Sequence, residues 1–362
     1  MARYHRREFP STSGFLIIEG SSCPVPEIGE QRTTVAISQG WGRDEWGRLA
    51  LILTEIAAMS RQLLRPLLLL LSGLSTAGYT DGPPTGNAVI RAKAGPSEIV
   101  ITTTAHLAGA IHSITWDGKE FIDSFDHGRQ LQSAANFDCA GRFIPEVFNP
   151  TEAGSRADGV GETSSSRLLR LSVDGPELRT RTQMAFWLAP GEESEGHPAC
   201  NDRVLSNHIV SKRVRIGHRG DPHVVEYEVT FTVPEGERHT YAQFEAVTGY
   251  MRPEFSRFWR YDGATDGLVP LDDGPGEQPS PVVLATPSGS HAMGVYSPEP
   301  APGYGRFRFG DERVNKWNCV FRVHDPQRAK PGDYRYRTFV VVGTLDDVLR
   351  ALNGLRTEFQ GL

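Results

Sequence analysis

The 362-residue chain is short of cysteine, of clustered positive charge and of long apolar runs, and each shortage excludes something. It has four cysteines and no CxxC pair, so neither a zinc knuckle nor a dense disulfide framework is supported. No block of five Lys/Arg occurs, and the formal net charge is -6. Nucleic acid is not an expected partner, because neutralising phosphates needs gathered cations. The apolar run Leu67 to Leu71 is far short of the roughly 20 residues of a membrane span. HxH, HExxH, D-x-D-x-D-G and GxSxG patterns are missing, as is a phosphate-cradling glycine loop, so no metal and no cofactor is expected.

One segment stands out. Met59 opens a short stretch with Arg61 and Arg65, then Leu67 to Leu71, then small residues at Ser75 and Ala77. That is the layout of a secretory leader with its cleavage site. The expectation is a signal peptide over 59–77, an upstream segment 1–58 outside any domain and poorly ordered, and a working chain from Gly78, secreted or periplasmic. No cysteine stands near Ala77 to carry a lipid, so no stable membrane anchor is expected. Beyond residue 77 three cysteines remain. Cys319 alternates with Trp317 and Phe321 and reads as a buried thiol, while a Cys139–Cys200 bridge is open to a secreted chain.

From residue 88 the pattern is period two, the mark of half-buried strands. Val225, Tyr227, Val229, Phe231 and Val233 form one face against Glu226, Glu228, Thr230 and Thr232. Leu169, Leu171 and Val173 repeat it, as do Val210, Val214 and Ile216 with Lys212 as the exception. Asp117-Gly118 between Ile111–Trp116 and Lys119–Ile122 predicts a type I′ hairpin. Val282–Thr286 and His291–Tyr296 predict a second one, and Tyr334–Val342 a late strand. Only Thr344 onward reads as helix, with Thr344 and Asp347 as a capping box and Leu345, Val348, Leu349, Leu352 and Leu355 on one face. The expected fold is all-β, a large antiparallel sandwich with one C-terminal helix, and 78–362 as a single domain.

Functional side chains gather in a few loop-like stretches. His127 stands among Asp126, Arg129 and Gln130, a setting for general acid or base work. Glu146, Glu152 and Glu277 are candidates for the carboxylate pair that glycoside chemistry requires. Arg129, Gln130 and Asn149 suit sugar hydroxyls or a carboxylate, as do Glu245, Lys316 and Asn318. Tyr250, Trp259, Tyr261 and Tyr304 offer faces for sugar rings to stack on.

The stretch Gly109-Ala-Ile111-His-Ser-Ile-Thr-Trp116-Asp-Gly-Lys-Glu-Phe121 resembles the opening strand of the galactose-mutarotase-like supersandwich group, G-x-I-x-S-[ILV]-x-[WF]-x-G-K-E-[FL]. The resemblance implies a concave sheet face that binds sugars, as in aldose epimerases and sandwich domains of glycoside hydrolases and polysaccharide lyases. The epimerase stretch Asn-His-x-Tyr-Phe-Asn is not kept, because Asn207-His208 runs into Ile209-Val210-Ser211. The leading expectation is therefore a secreted carbohydrate-active enzyme cleaving glycosidic bonds of an oligo- or polysaccharide. His127 and a carboxylate among Glu146, Glu152 and Glu277 would do the chemistry. The rivals are a lyase on a uronic-acid-containing glycan, with Arg129, Lys316 or Asn149 against the carboxylate and His127, Tyr250 or Tyr304 as base, and a non-catalytic sugar-binding module.

Overall fold

Period-two alternation decides the architecture, because each alternating strand has an apolar face to bury. The computed structural model describes residues 84–310, 314–324 and 329–359; the expected leader and upstream segment lie outside them. The strands run β1 (Ala88–Ala94), β2 (Ser97–Thr103), β3 (Ile111–Trp116), β4 (Lys119–Glu120), β5 (Leu131–Phe137), β6 (Pro150–Thr151) and β7 (Arg167–Asp174). There follow β8 (Glu177–Phe186), β9 (Glu193–Ser194), β10 (His197–Pro198), β11 (Leu205–His218), β12 (Asp221–Val233), β13 (Ala242–Met251) and β14 (Arg257–Asp262). The last are β15 (Gly267–Leu271), β16 (Gly276–Gln278), β17 (Val282–Ala285), β18 (Ala292–Tyr296), β19 (Gly303–Phe309), β20 (Val314–Val323) and β21 (Gly332–Gly343), before helix α1 (Leu345–Phe359).

Two antiparallel layers result. One runs β7-β8-β11-β12-β21-β18-β17-β14-β15. The other runs β1-β2-β3-β5-β13-β20-β19-β16. The two-residue β6 pairs with both β5 and β8 and links the layers. Between them lies the main core, where Val214, Tyr227 and Phe231 of the first layer share one cluster with Phe137, Phe244, Trp317 and Cys319 of the second. The expected sandwich with its C-terminal helix is what the chain forms.

The local expectations mostly hold. Asp117 and Gly118 both have positive φ, 48° and 71°, as a type I′ turn requires. The strand after it is shorter than expected, ending at Glu120, with Ile122 held by an isolated bridge to Met251. β17 pairs with β18 as the second hairpin. In β7 a register shift between Leu168 and Arg170 interrupts the alternation, and Val173 is exposed. At α1 the Thr344 hydroxyl accepts from the Asp347 amide, while the Asp347 carboxylate accepts from the Thr344 amide. The helix buries Val348, Ala351, Leu352 and Leu355 against Val224, Phe339 and Val341. Cys139 and Cys200 form a disulfide, and Cys319 is a buried free thiol.

Candidate functional site

The outer face of β5-β13-β20-β19 carries a run of polar side chains on strands whose other face is core. Register sets it: Tyr250 lies opposite Lys316, Thr248 opposite Asn318 and Gln132, Lys316 opposite Phe307, and Asn318 opposite Gly305. A bulge between Glu245 and Val247 makes this possible. The extra residue sends Ala246 and Val247 into the core and leaves Glu245, Thr248 and Tyr250 on the polar side.

Lys316 is the centre of the group. Its Nζ lies 3.4 Å from Glu245 Oε2, 5.2 Å from the Tyr250 ring centroid and 5.4 Å from that of Phe307. The Thr248 hydroxyl donates to Glu245 Oε2 at 2.6 Å, and Asn318 bonds the same carboxylate. Asn318 Oδ1 in turn accepts from the Gly305 amide at 3.0 Å. A side chain at Gly305 would put a carbon 2.3 Å from Asn318 Oδ1, so only glycine leaves Asn318 in place.

Burial and charge fix the protonation states. Burial alone would raise the Glu245 carboxyl, but the Lys316 charge and the Thr248 and Asn318 bonds outweigh it and hold it below the ordinary range. Burial raises the Tyr250 hydroxyl, and the neighbouring ammonium does not cancel the effect. Lys316 is pushed up, since Glu245 and Tyr250 outweigh its desolvation. At neutral pH the group therefore reads carboxylate, ammonium and protonated phenol. Beside it, Gln132 donates to the Gly128 carbonyl at 3.0 Å. Among the described residues, the buried Oε1 atoms of Gln130 and Gln132 meet no donor.

Of the residues expected from sequence, the structure thus assembles Glu245, Tyr250, Lys316 and Asn318. It adds Thr248, Gln132 and Phe307, which sequence reading did not single out because nothing in the chain announces the bulge. The other expected residues are held by other partners. His127 is buried, with Nδ1 2.9 Å from the Gly159 carbonyl and Nε2 3.1 Å from that of His106, so both ring nitrogens serve the loop. This geometry fits a loop anchor, not a proton shuttle. Glu152 is fully buried in the interior, paired with Lys212 and accepting from the Ser133 amide. Glu146 accepts from the Ser194 hydroxyl. Glu277 holds Arg322 in a bidentate pair at 2.8 and 2.7 Å. The three acids are held by separate partners, and the Glu146 charge reaches Tyr250 and helps to raise its hydroxyl.

The remaining expected contacts are structural in the same sense. Arg129 pairs with Asp126 at 3.0 Å, Gln130 donates to the Asp126 carbonyl, and Asn149 donates to the Ala135 carbonyl. Tyr304 is buried, its oxygen accepting from the Ser297 amide. Trp259 and Tyr261 pack with α1, and the Tyr261 hydroxyl donates to Asn353. Among the described residues no three His, Cys, Asp or Glu side chains come together as metal ligands.

No protein-family model and no curated protein sequence matches the chain. Solved structures do. A proposed aldose 1-epimerase from Escherichia coli is 11% identical, covering 72% of this chain and 100% of its own, with a TM-score of 0.39. An α-mannosidase from Enterococcus faecalis is 9% identical, with 77% of this chain and 31% of that one covered and a TM-score of 0.46. A heparan sulfate lyase from Pedobacter heparinus is 7% identical, with coverages of 72% and 35% and a TM-score of 0.36. This chain thus spans about a third of the mannosidase and of the lyase. At such scores no residue role passes from those proteins to this one.

Proposed function

We propose that the protein is a secreted carbohydrate-active enzyme that holds an acidic saccharide on the β5-β13-β20-β19 face and cleaves it by β-elimination. One observation carries the reading: Lys316 sits between an ionised Glu245 and a protonated Tyr250 on a sheet face that also carries Thr248, Asn318, Gln132 and the Phe307 ring. Elimination from a uronic acid asks for these three states. Glu245 takes the proton on the carbon next to the sugar carboxylate, and Lys316 offsets the charge that builds there. The bond to the glycosidic oxygen breaks, a carbon–carbon double bond forms, and Tyr250 supplies the leaving oxygen's proton. Hydrolysis would need a second, protonated carboxyl beside Glu245; Glu152 and Glu277 are paired with Lys212 and Arg322, and Glu146, whose charge reaches Tyr250, accepts from the Ser194 hydroxyl. The Cys139–Cys200 disulfide supports export, because such bonds persist in oxidising compartments.

The test is the full chain on a panel of neutral and uronate glycans, with reducing ends and near-ultraviolet absorbance followed together. Elimination raises both signals, and Glu245→Gln or Tyr250→Phe then lowers the rate at least a hundredfold. Reducing ends without absorbance would return the protein to the hydrolases. A second reading, a non-catalytic sugar-binding surface, is favoured by the fact that Glu245 is already satisfied by Thr248 and Lys316. Saturable binding with neither signal would establish it.

A further inference from the structure

On the opposite layer, the outer face of β7-β8-β11-β12-β21 gathers arginines that no stretch of sequence shows together. Strand register lines up Arg170, Arg181, Ser211, Thr230 and Arg335 as one row across five strands. Two small hydroxyl residues thus lie between long basic ones, and a trough of about 300 Å³ opens over them. Arg179 and Arg213 in the next row also line it, as does Glu228.

The two rows differ in what neutralises them. Arg213 is held by Glu177, Glu226 and Glu228 at 2.8 to 3.4 Å, and Arg179 by Glu177 at 2.6 Å. In the first row Arg335 meets Asp333 at 3.2 Å, and Arg181 is exposed and feels the same carboxylate without, among the described residues, closing an ion pair with it. Arg170 and Arg181 lie opposite each other on neighbouring strands, so two guanidinium groups stand at one side of the trough.

We propose that this trough binds the sulfate or carboxylate groups of an acidic saccharide, at a site separate from the Glu245–Lys316 face. The proposal extends the acidic-saccharide reading of that face and rests on it for the class of ligand. Guanidinium forks match both anions in geometry, and the Ser211 and Thr230 hydroxyls on the floor suit sugar hydroxyls. Arg181 and Arg335 are three strands apart, roughly 14 Å at the usual strand spacing, so the row suits an extended chain of several sugar units. Nucleic acid fits less well. No aromatic residue lines the trough for bases to stack on, and Glu177, Glu226 and Glu228 break up the positive field that a continuous phosphate backbone would follow.

The experiment measures binding of the full chain to labelled heparin hexasaccharide, hexagalacturonate, a neutral dextran oligomer and a thymidylate 12-mer over a range of salt. The expected result is binding of one or both acidic saccharides and not of dextran, weakened at least tenfold in Arg170→Ala/Arg181→Ala and with a shallower salt dependence. The heparin and galacturonate arms tell sulfate from carboxylate. Arg91→Ala, on β1 of the other layer, leaves heparin affinity within twofold. Unchanged affinity in the double variant overturns the proposal, as does no acidic-saccharide binding or thymidylate binding as tightly as the saccharides. Arg181-dependent binding without unsaturated product would sink the elimination reading alone. Product formed without Arg181-dependent binding would sink the trough alone.

Discussion

At the scale of single residues the informative fact is how closely Lys316 is tied to its neighbours. Removing its ammonium leaves Glu245, only 13% exposed, as a half-buried carboxylate without a counter-charge. Lys316→Met is therefore expected to cost about 3 kcal/mol in urea unfolding, with Lys316→Arg recovering part of it. The pH dependence has a definite sign. The folded Glu245 carboxyl lies below its unfolded value, so its contribution is complete above the ordinary carboxylate range and is lost as pH falls through the lowered value. Without Lys316 burial raises that carboxyl, so the gap between wild type and Lys316→Met should begin to narrow above the ordinary carboxylate range and go on narrowing as pH falls through the lowered wild-type value. Glu237 offers a second test away from the site. Burial raises its carboxyl, but His208 and His239 outweigh that and pull it to about 2. Glu237→Gln should destabilise the protein at pH 6, and the difference should shrink between pH 4.5 and 2.

At the scale of elements, the start of α1 and its buried side were readable because their signals are local. Thr344 and Asp347 cap it, and the 3.6-residue spacing of Val348, Leu352 and Leu355 marks its buried side. Thr344→Ala should cost about 1 kcal/mol, and Leu352→Ala between about 2 and 5 kcal/mol, both read as shifts in the urea midpoint. The hairpin at Asp117-Gly118 was readable for the same reason. The site was only half readable. Tyr250, Lys316 and Asn318 announced themselves as polar residues between apolar ones, but their meeting with Glu245 depends on a bulge that period-two reading does not contain. His127 misled because a histidine flanked by acid, arginine and amide looks the same in sequence whether it faces solvent or two carbonyls. Glu152 misled for a related reason: its partner Lys212 lies 60 positions away, and only the packed layers bring them together.

For the molecule as a whole, formal charge is a poor guide to local field. A chain of net charge -6 builds a face on which Arg170, Arg181 and Arg335 share a row, because strands at distant sequence positions lay alternate residues side by side. The disulfide acts at this scale as well. It ties positions 61 residues apart, and reducing it should lower the unfolding free energy by about 4 kcal/mol on a chain-entropy argument. The measurement is a thermal melt with and without dithiothreitol, with Cys139→Ala/Cys200→Ala as the control.

The irregular β7 also bears on how the protein behaves at high concentration. Its pairing is with β8, so its other side is a row of main-chain groups able to template a strand from another copy. The register shift between Leu168 and Arg170 breaks that row near its N-terminal end. Arg167 and Arg170 are exposed beside the break, and an incoming β7 would bring its own pair of guanidinium groups to within roughly 5 Å of them. Stacking of one molecule onto the next is therefore opposed at this edge by both geometry and charge.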